Sequence, residues 1–170
     1  LVAETIERRA RHRAVRQAAV LSTHFEQAGR PAETWRYAVA AGERAASRYA
    51  PRDAVVLFER ALRAAAELSD LDPAEVARVA EQLGDAAHLI GDVERADAAY
   101  VRASELAAPD RRSALARKRG LLCESRGEYD AALGHLEQAL DPTGAAADAP
   151  LDDRLEAMVS MGGIRYRQGR

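Results

Sequence analysis

The residues best suited to chemistry gather in "RGEYDAALGHLEQAL", residues 126–140. Glu128, Asp130 and Glu137 beside His135 are the residue types of general acid–base catalysis, which requires them to converge within hydrogen-bond reach of one substrate. The same residues also suit the wet face of a helix. His135 and Glu137 flank Leu136, and successive helical residues project in directions about 100° apart, so the three do not share a face. A catalytic reading demands one closed pocket and strongly perturbed acidities. The other reading leaves the side chains dispersed.

Other chemistries can be tested in the same way. A phosphate-binding loop needs G-x-x-x-x-G-K-[ST], and the only lysine, Lys118, sits in "ARKRG". A nucleotide-cyclase centre needs metal-binding aspartates presented on strands, and the sequence carries no strand pattern. His12, His24, His88 and His135 lack H-E-x-x-H spacing, and Cys123 alone cannot build a cysteine-rich zinc site, so neither metal nor cofactor is expected. Cys123 reads as a packing thiol and Trp35 as a core cap between the first helices. The run "ERRARHRAVR", residues 7–16, could meet a phosphate backbone, but Glu4 and Glu7 lie beside it and no aromatics interleave for base stacking. It reads as a solvated helix face or linker, and no nucleic-acid partner is expected.

Composition narrows the classes further. Of 170 residues, 48% are hydrophobic and 31% charged, as in a folded chain with a core. The formal net charge of −2 creates no field for gathering nucleic acid or anionic lipid. A single cysteine excludes an internal disulfide, no apolar run is long enough for a membrane span, and a cytoplasmic setting is expected. Heavy Ala and Arg usage is that of a GC-rich bacterial gene. The chain opens at Leu1 and closes at "RYRQGR", which reads as a fragment of something larger.

The elements are punctuated by proline. Pro31, Pro51, Pro73, Pro109, Pro142 and Pro150 each stand at a join between apolar-periodic segments, with Gly91 and Gly127 marking two more. The segments between are rich in Ala, Leu, Glu and Arg, the strong helix formers. Eight helices are predicted, over 3–28, 32–48, 52–68, 73–90, 93–107, 110–126, 129–140 and 151–167.

These helices repeat. Gly84 and Gly120 are 36 residues apart, as are Gly91 and Gly127, Ala96 and Ala132, and Ala103 and Ala139. Gly42 lies 42 residues before Gly84, and Gly162 lies 42 after Gly120. The extra residues fall in "LSDLDP" and "DPTGAAADAPLDD". A small residue in one helix and small residues in its antiparallel partner let two backbones approach, while larger apolar groups fill the groove. Each pair leaves one apolar face to be covered by a neighbour.

The pattern resembles the tetratricopeptide repeat, W-x2-L-G-x2-Y, then A-x3-F, then A and P. One unit reads Ala80, Leu83-Gly84, Ala87, Ala96, Tyr100, Ala103 and Pro109, and the next Ala116, Arg119-Gly120, Cys123, Ala132, Leu136 and Ala139. The first reads Ala38, Ala41-Gly42, Ala45, Ala54, Phe58 and Ala61; the last offers Met158, Met161-Gly162 and Arg165. Tyr49 stands where a turn glycine is expected. The resemblance implies an all-α, right-handed superhelical solenoid. Residues 1–30 form a lead-in or capping helix, and 31–170 form repeats at about 35–70, 77–110, 113–142 and a truncated 155–170.

It also implies a concave groove lined by the first helix of each pair, carrying Arg36, Val39, Glu43, Arg78, Glu81, Asp85, His88, Arg117, Leu121, Glu124, Tyr166 and Arg167. Some members of the family clamp a peptide carboxylate with Lys and Asn; with no Asn and one Lys, that mode is not expected. The stretch "VLSTHFEQAGRPAETWRYAVAAGERAASRYAPRDAVVLFERAL" is similar to the start of the helical region in large bacterial signalling ATPases, which carry nucleotide-cyclase or LuxR-type DNA-binding domains. The expected function is therefore non-catalytic: binding a protein or peptide, or another domain of the same chain. The alternative is a piece of an enzyme whose catalytic domains lie elsewhere. Met158, Met161 and Ile164 are expected to lack a covering partner, favouring end-to-end self-association.

Overall fold

The computed structural model describes residues 17–141 and 149–169. The arginine run at 7–16 and the start of the first predicted helix lie outside the described residues. Among the described residues eight helices follow one another: α1 over 17–27, α2 Pro31–Ser47, α3 Pro51–Ala65, α4 Pro73–Leu89, α5 Val93–Leu106, α6 Pro109–Ser125, α7 Tyr129–Leu140 and α8 Leu151–Arg167. No strand occurs among the described residues.

Local chemistry places the helix ends. Pro31, Pro51, Pro73 and Pro109 occupy the first helical turn, where the missing N–H has no intrahelical acceptor to lose. Asp72 and Asp92 cap α4 and α5 by accepting from the backbone N–H of Ala74 and Arg95. The turns that close α1, α2, α4 and α6 are alike. The N–H of Asp92 donates to Ala87 O and that of Gly91 to His88 O, and the same two bonds recur at Arg30–Gly29, Ala50–Tyr49 and Glu128–Gly127. Each turn passes through positive φ, which Gly29, Gly91 and Gly127 adopt freely but Tyr49 adopts at +57°. Replacing Tyr49 with Gly should therefore stabilise the fold by about 1 kcal/mol, measurable as a raised denaturation midpoint.

Close approach holds each pair together. In α2, α4 and α6 the glycines Gly42, Gly84 and Gly120 lie under Phe58, Tyr100 and Leu136 of the following helix. A Cβ on Gly42 would fall 2.6 Å from Phe58 Cε1, and one on Gly120 would fall 3.0 Å from Leu136 Cγ. On either side of the large residue, Ala54 and Ala61, Ala96 and Ala103, and Ala132 and Ala139 are fully buried. The second helix of one pair then packs on the first helix of the next, α3 on α4, α5 on α6 and α7 on α8.

The resulting core is a ribbon, not a ball. One cluster runs from Trp35 to Leu122, and a second joins α6, α7 and α8. Trp35 is a core residue, as expected. One expectation needs correction. Met161 and Ile164 are buried in the second cluster, whereas Met158 is exposed. Met161 and Ile164 occupy the register of Leu83 and Ala86, the side that faces the preceding pair, so α7 covers them.

Candidate functional site: the face of the first helices

Helices α2, α4, α6 and α8 share one length and one register, with Gly42, Gly84, Gly120 and Gly162 each at the twelfth position. Side chains at equivalent positions therefore repeat down one face. Acids and bases on neighbouring helices of this face meet. Glu43 of α2 accepts from Arg78 of α4 at 2.5 Å, and Arg78 also donates to Gln82 at 3.2 Å. Glu81 of α4 receives Arg111 of α6 on both oxygens at 2.9 Å, and Lys118 Nζ stands 2.8 Å from its Oε1. Arg117 of α6 reaches Glu156 of α8 at 2.8 Å, and Arg167 of α8 donates to Glu124 of α6.

The densest knot is centred on the only lysine. Lys118 donates to both Asp85 oxygens, at 2.6 and 2.8 Å, while Tyr100 Oη donates to Asp85 at 2.8 Å. Its ammonium also lies 5.6 Å from the Tyr100 ring centroid, within cation–π range. Burial of the Tyr100 phenol and the adjacent Asp85 carboxylate push its pKa well up, so it stays a donor throughout the physiological range. Burial opposes the charge on Glu81, but hydrogen bonds from Lys118 and Arg111 outweigh it and hold the carboxyl below its ordinary value.

The linkage has a definite sign. A carboxyl with a depressed folded pKa contributes stability above its ordinary value of 4.5, and that contribution is lost as pH falls through the lower folded value. Glu26, held by Arg60 and Arg63 against its desolvation, acts in the same direction. Glu81→Gln should therefore flatten part of the acid limb of a stability–pH curve. Lys118→Met should cost about 1–2 kcal/mol at neutral pH, the range for hydrogen bonds to a charged group that is not fully buried.

Of the residues expected to line the groove, Glu43, Arg78, Glu81, Asp85, Arg117, Glu124 and Arg167 are thus drawn into contacts between neighbouring helices. Arg36 lies 4.7 Å over the Tyr37 ring, and His88 and Tyr166 are exposed. Leu121 is half-buried. Val39 is in the core, a correction to the groove assignment. Its equivalents are Glu81 and Arg117, whose partners sit on the next first helix, so this register position faces a neighbour and an apolar residue there is covered.

Sequence reasoning passed over Lys118 and Arg111 as members of this face, and did not foresee that the seam residue Tyr100 donates to Asp85 on it. The isolated lysine two residues before Gly120 was the available signal. It also missed an apolar notch of about 430 Å³ beside Asp85, lined by Ala46, Tyr49, Pro51, Gln82, Ala86 and Leu89. Tyr49 is 93% exposed and Leu89 73% exposed at this notch.

The acid–base alternative meets a dispersed arrangement. Arg126 pairs with Glu128 at 2.9 Å, Arg165 with Glu137 at 3.6 Å, and Gln168 donates to Asp130 at 3.5 Å. Glu128 is the residue before α7 and Asp130 lies in its first turn, where the helix dipole favours acids. His135 has its basicity lowered by burial and by Arg119. Cys123 is half-buried beside the second cluster, and burial, with Glu128 and Asp97 nearby, raises its thiol pKa away from reactivity. Among the described residues no three His, Cys, Asp or Glu gather as a metal set, and no helix is long and apolar enough to cross a membrane.

The sequence matches no family model and no curated protein. Among solved structures, the fold is similar to the crystal structure of MamA, with a TM-score of 0.61 and 19% identity over 88% of this chain and 85% of that one. A second MamA crystal structure aligns over 92% of this chain and 94% of that one, with a TM-score of 0.49 and 17% identity. The first likeness and the all-helical pairing agree on fold: this is a tetratricopeptide-like stack of antiparallel helix pairs.

Proposed function

We propose that the chain is a non-catalytic interaction or intramolecular regulatory module of a larger, cytoplasmic bacterial signalling protein, and that it recognises protein on the face of its first helices. Residues 1–30 serve as the lead-in to the repeats or as their cap. Arg36, Glu43, Arg78, Glu81, Asp85, His88, Arg117, Glu124, Tyr166 and Arg167 form the polar ground of that face. Most of these charges serve one another, so recognition centres on the Tyr49–Leu89 notch.

The observation that carries this reading is Tyr49. Its turn position takes glycine in the equivalent turns at Gly91 and Gly127, yet here a bulky residue is held at φ +57° with its ring in water. Strain of this kind, retained without a packing gain, is a mark of a functional position. An exposed ring beside Leu89 over an apolar notch suits an aliphatic or aromatic side chain of a partner, with Asp85 and Gln82 able to meet its backbone N–H groups.

The test is a pull-down from a bacterial lysate, comparing the chain with a Tyr49→Gly, Leu89→Ser variant. Both positions are exposed, and the first change should raise stability, so a loss of captured protein reports on recognition and not on unfolding. Identical capture by the two proteins would remove the notch from the reading. Capture of nothing by the native chain would remove binding to a separate protein.

A further inference from the structure

Position 44 breaks the register of the first helices. Its counterparts Ala86, Leu122 and Ile164 each lie two residues beyond the repeat glycine, and all three are buried. In α2 the position carries Arg44, and α1 contributes only Ala19 beside it. A hollow of about 400 Å³ remains between α1, α2 and α3, with Ala41, Ala45 and Leu57 among its apolar lining. Val56, which also lines it, is 54% exposed, and Val20, next to Ala19 in α1, is 58% exposed.

The charges of this hollow are unlike those of the rest of the stack. Elsewhere arginines meet acids of neighbouring helices, as Arg78 meets Glu43, Arg95 meets Glu59 and Arg119 meets Asp97. Arg44 and Arg48 line the hollow, and neither guanidinium has an ion pair or hydrogen bond among the described residues. Asp53, the acid of the lining, stands in the first turn of α3, where the helix dipole favours it. Two cations against one acid leave the hollow positive. A register that elsewhere buries an apolar side chain here presents a free cation. A local rule broken without a packing gain marks a functional position.

We propose that this hollow receives an acidic, aliphatic segment of a partner protein. A Leu- or Ile-sized side chain sits against Ala41, Ala45 and Leu57, and a neighbouring carboxylate is held by Arg44 and Arg48. Guanidinium forks suit a carboxylate because two parallel N–H donors match its two oxygens. The exposed Val20 and Val56 suit a partner surface wider than the hollow itself. The chain's own run at 7–16 carries Arg8, Arg9, Arg11, Arg13 and Arg16, the same sign as the hollow, so it does not match the occupant. The hollow shares no lining residue with the Tyr49 notch and does not depend on it.

The probe is a phage-displayed library of random dodecapeptides panned on the full chain, each enriched sequence then being synthesised with a fluorescein label. Enriched peptides should place Asp or Glu within a few residues of Leu, Ile or Met, bind with saturable anisotropy, and shift the Val56 methyl resonances. Arg44→Leu should weaken them by about tenfold or more, the scale of a lost charge-assisted hydrogen bond. This substitution puts at position 44 the kind of residue found at Leu122 and Ile164, so the denaturation midpoint should hold. Arg48→Glu, at an exposed residue, should weaken them as well. A library in which no peptide prefers the native chain to Arg44→Leu would overturn the proposal. Enriched peptides without an acid, or binding that leaves Val56 unmoved, would overturn it too. So would Val56 resonances that shift with the concentration of the chain alone, since a second copy would then fill the hollow.

Discussion

Phe58→Ala is expected to lower the stability of the fold by about 3–5 kcal/mol, the range for removing a buried aromatic ring. Phe58 is fully buried and lies directly over Gly42, so nothing on the α2 side can move in to fill the space. Both backbones are already in close approach, with Ala54 and Ala61 on either side, and the cavity would persist. Since stability in a helix stack is a sum of units and nearest-neighbour interfaces, the loss should be local first. Hydrogen exchange should show α2 and α3 opening well before α6 and α7. A uniform loss of protection along the whole chain would contradict this picture. So would a destabilisation below about 1 kcal/mol, because it would mean the seam can collapse around an alanine.

The second large effect is a reversal of sign between two equivalent glycines. Alanine is a better helix former than glycine by about 1 kcal/mol, and by that rule Gly84→Ala and Gly162→Ala should both stabilise. Only the second is expected to. At Gly84 a new Cβ would fall 2.5 Å from Tyr100 Cδ1, and the ring is held in place by its buried position and its hydroxyl bond to Asp85. Overpacking of this kind costs more than the helix gains, and a net loss of about 1–2 kcal/mol is expected. At Gly162 no atom stands within 4 Å, so the helix term alone remains and stability should rise by about 1 kcal/mol. Paired denaturant titrations decide the matter. Two stabilising changes would mean that the Tyr100 seam can give way to a methyl group, and two destabilising ones that Gly162 is covered as Gly84 is.

Much of this architecture is legible in the amino-acid order. Pro31, Pro51, Pro73 and Pro109 announce helix starts because proline is tolerated only in the first turn, and each helix does begin there. The 36-residue step identified the glycine seams because close approach demands small residues at fixed helical spacing. Those are local rules, acting within one turn or one pair. Their reach fell short where a residue's neighbour lies on another pair. Val39 was placed on the groove because it follows the register of Glu81 and Arg117; in the fold that register faces the next first helix, and an apolar residue there is buried.

The same limit explains the charges. Sequence spacing puts Glu81, Asp85 and Lys118 on first helices, but nothing in it states that Lys118 Nζ will reach both carboxylates of a helix some 33 residues earlier. That contact depends on the angle at which one pair stacks on the next, which is set by burial of Tyr100, Leu115 and their neighbours as a group. The covered side of α8 is a matter of the same kind. Met158, Met161 and Ile164 look equivalent as apolar residues of one helix, and only the position of α7 divides them into buried and exposed.

By itself, then, the amino-acid order determined where the helices start and turn, which helices pair, and that each pair meets through small residues. These are consequences of backbone sterics and helical periodicity, both encoded within a few residues. Tertiary structure alone decided how the pairs stack, which acids and bases meet across that stack, and which helix face stays open. Those outcomes come from many weak contacts between distant segments, and no short stretch of sequence contains them.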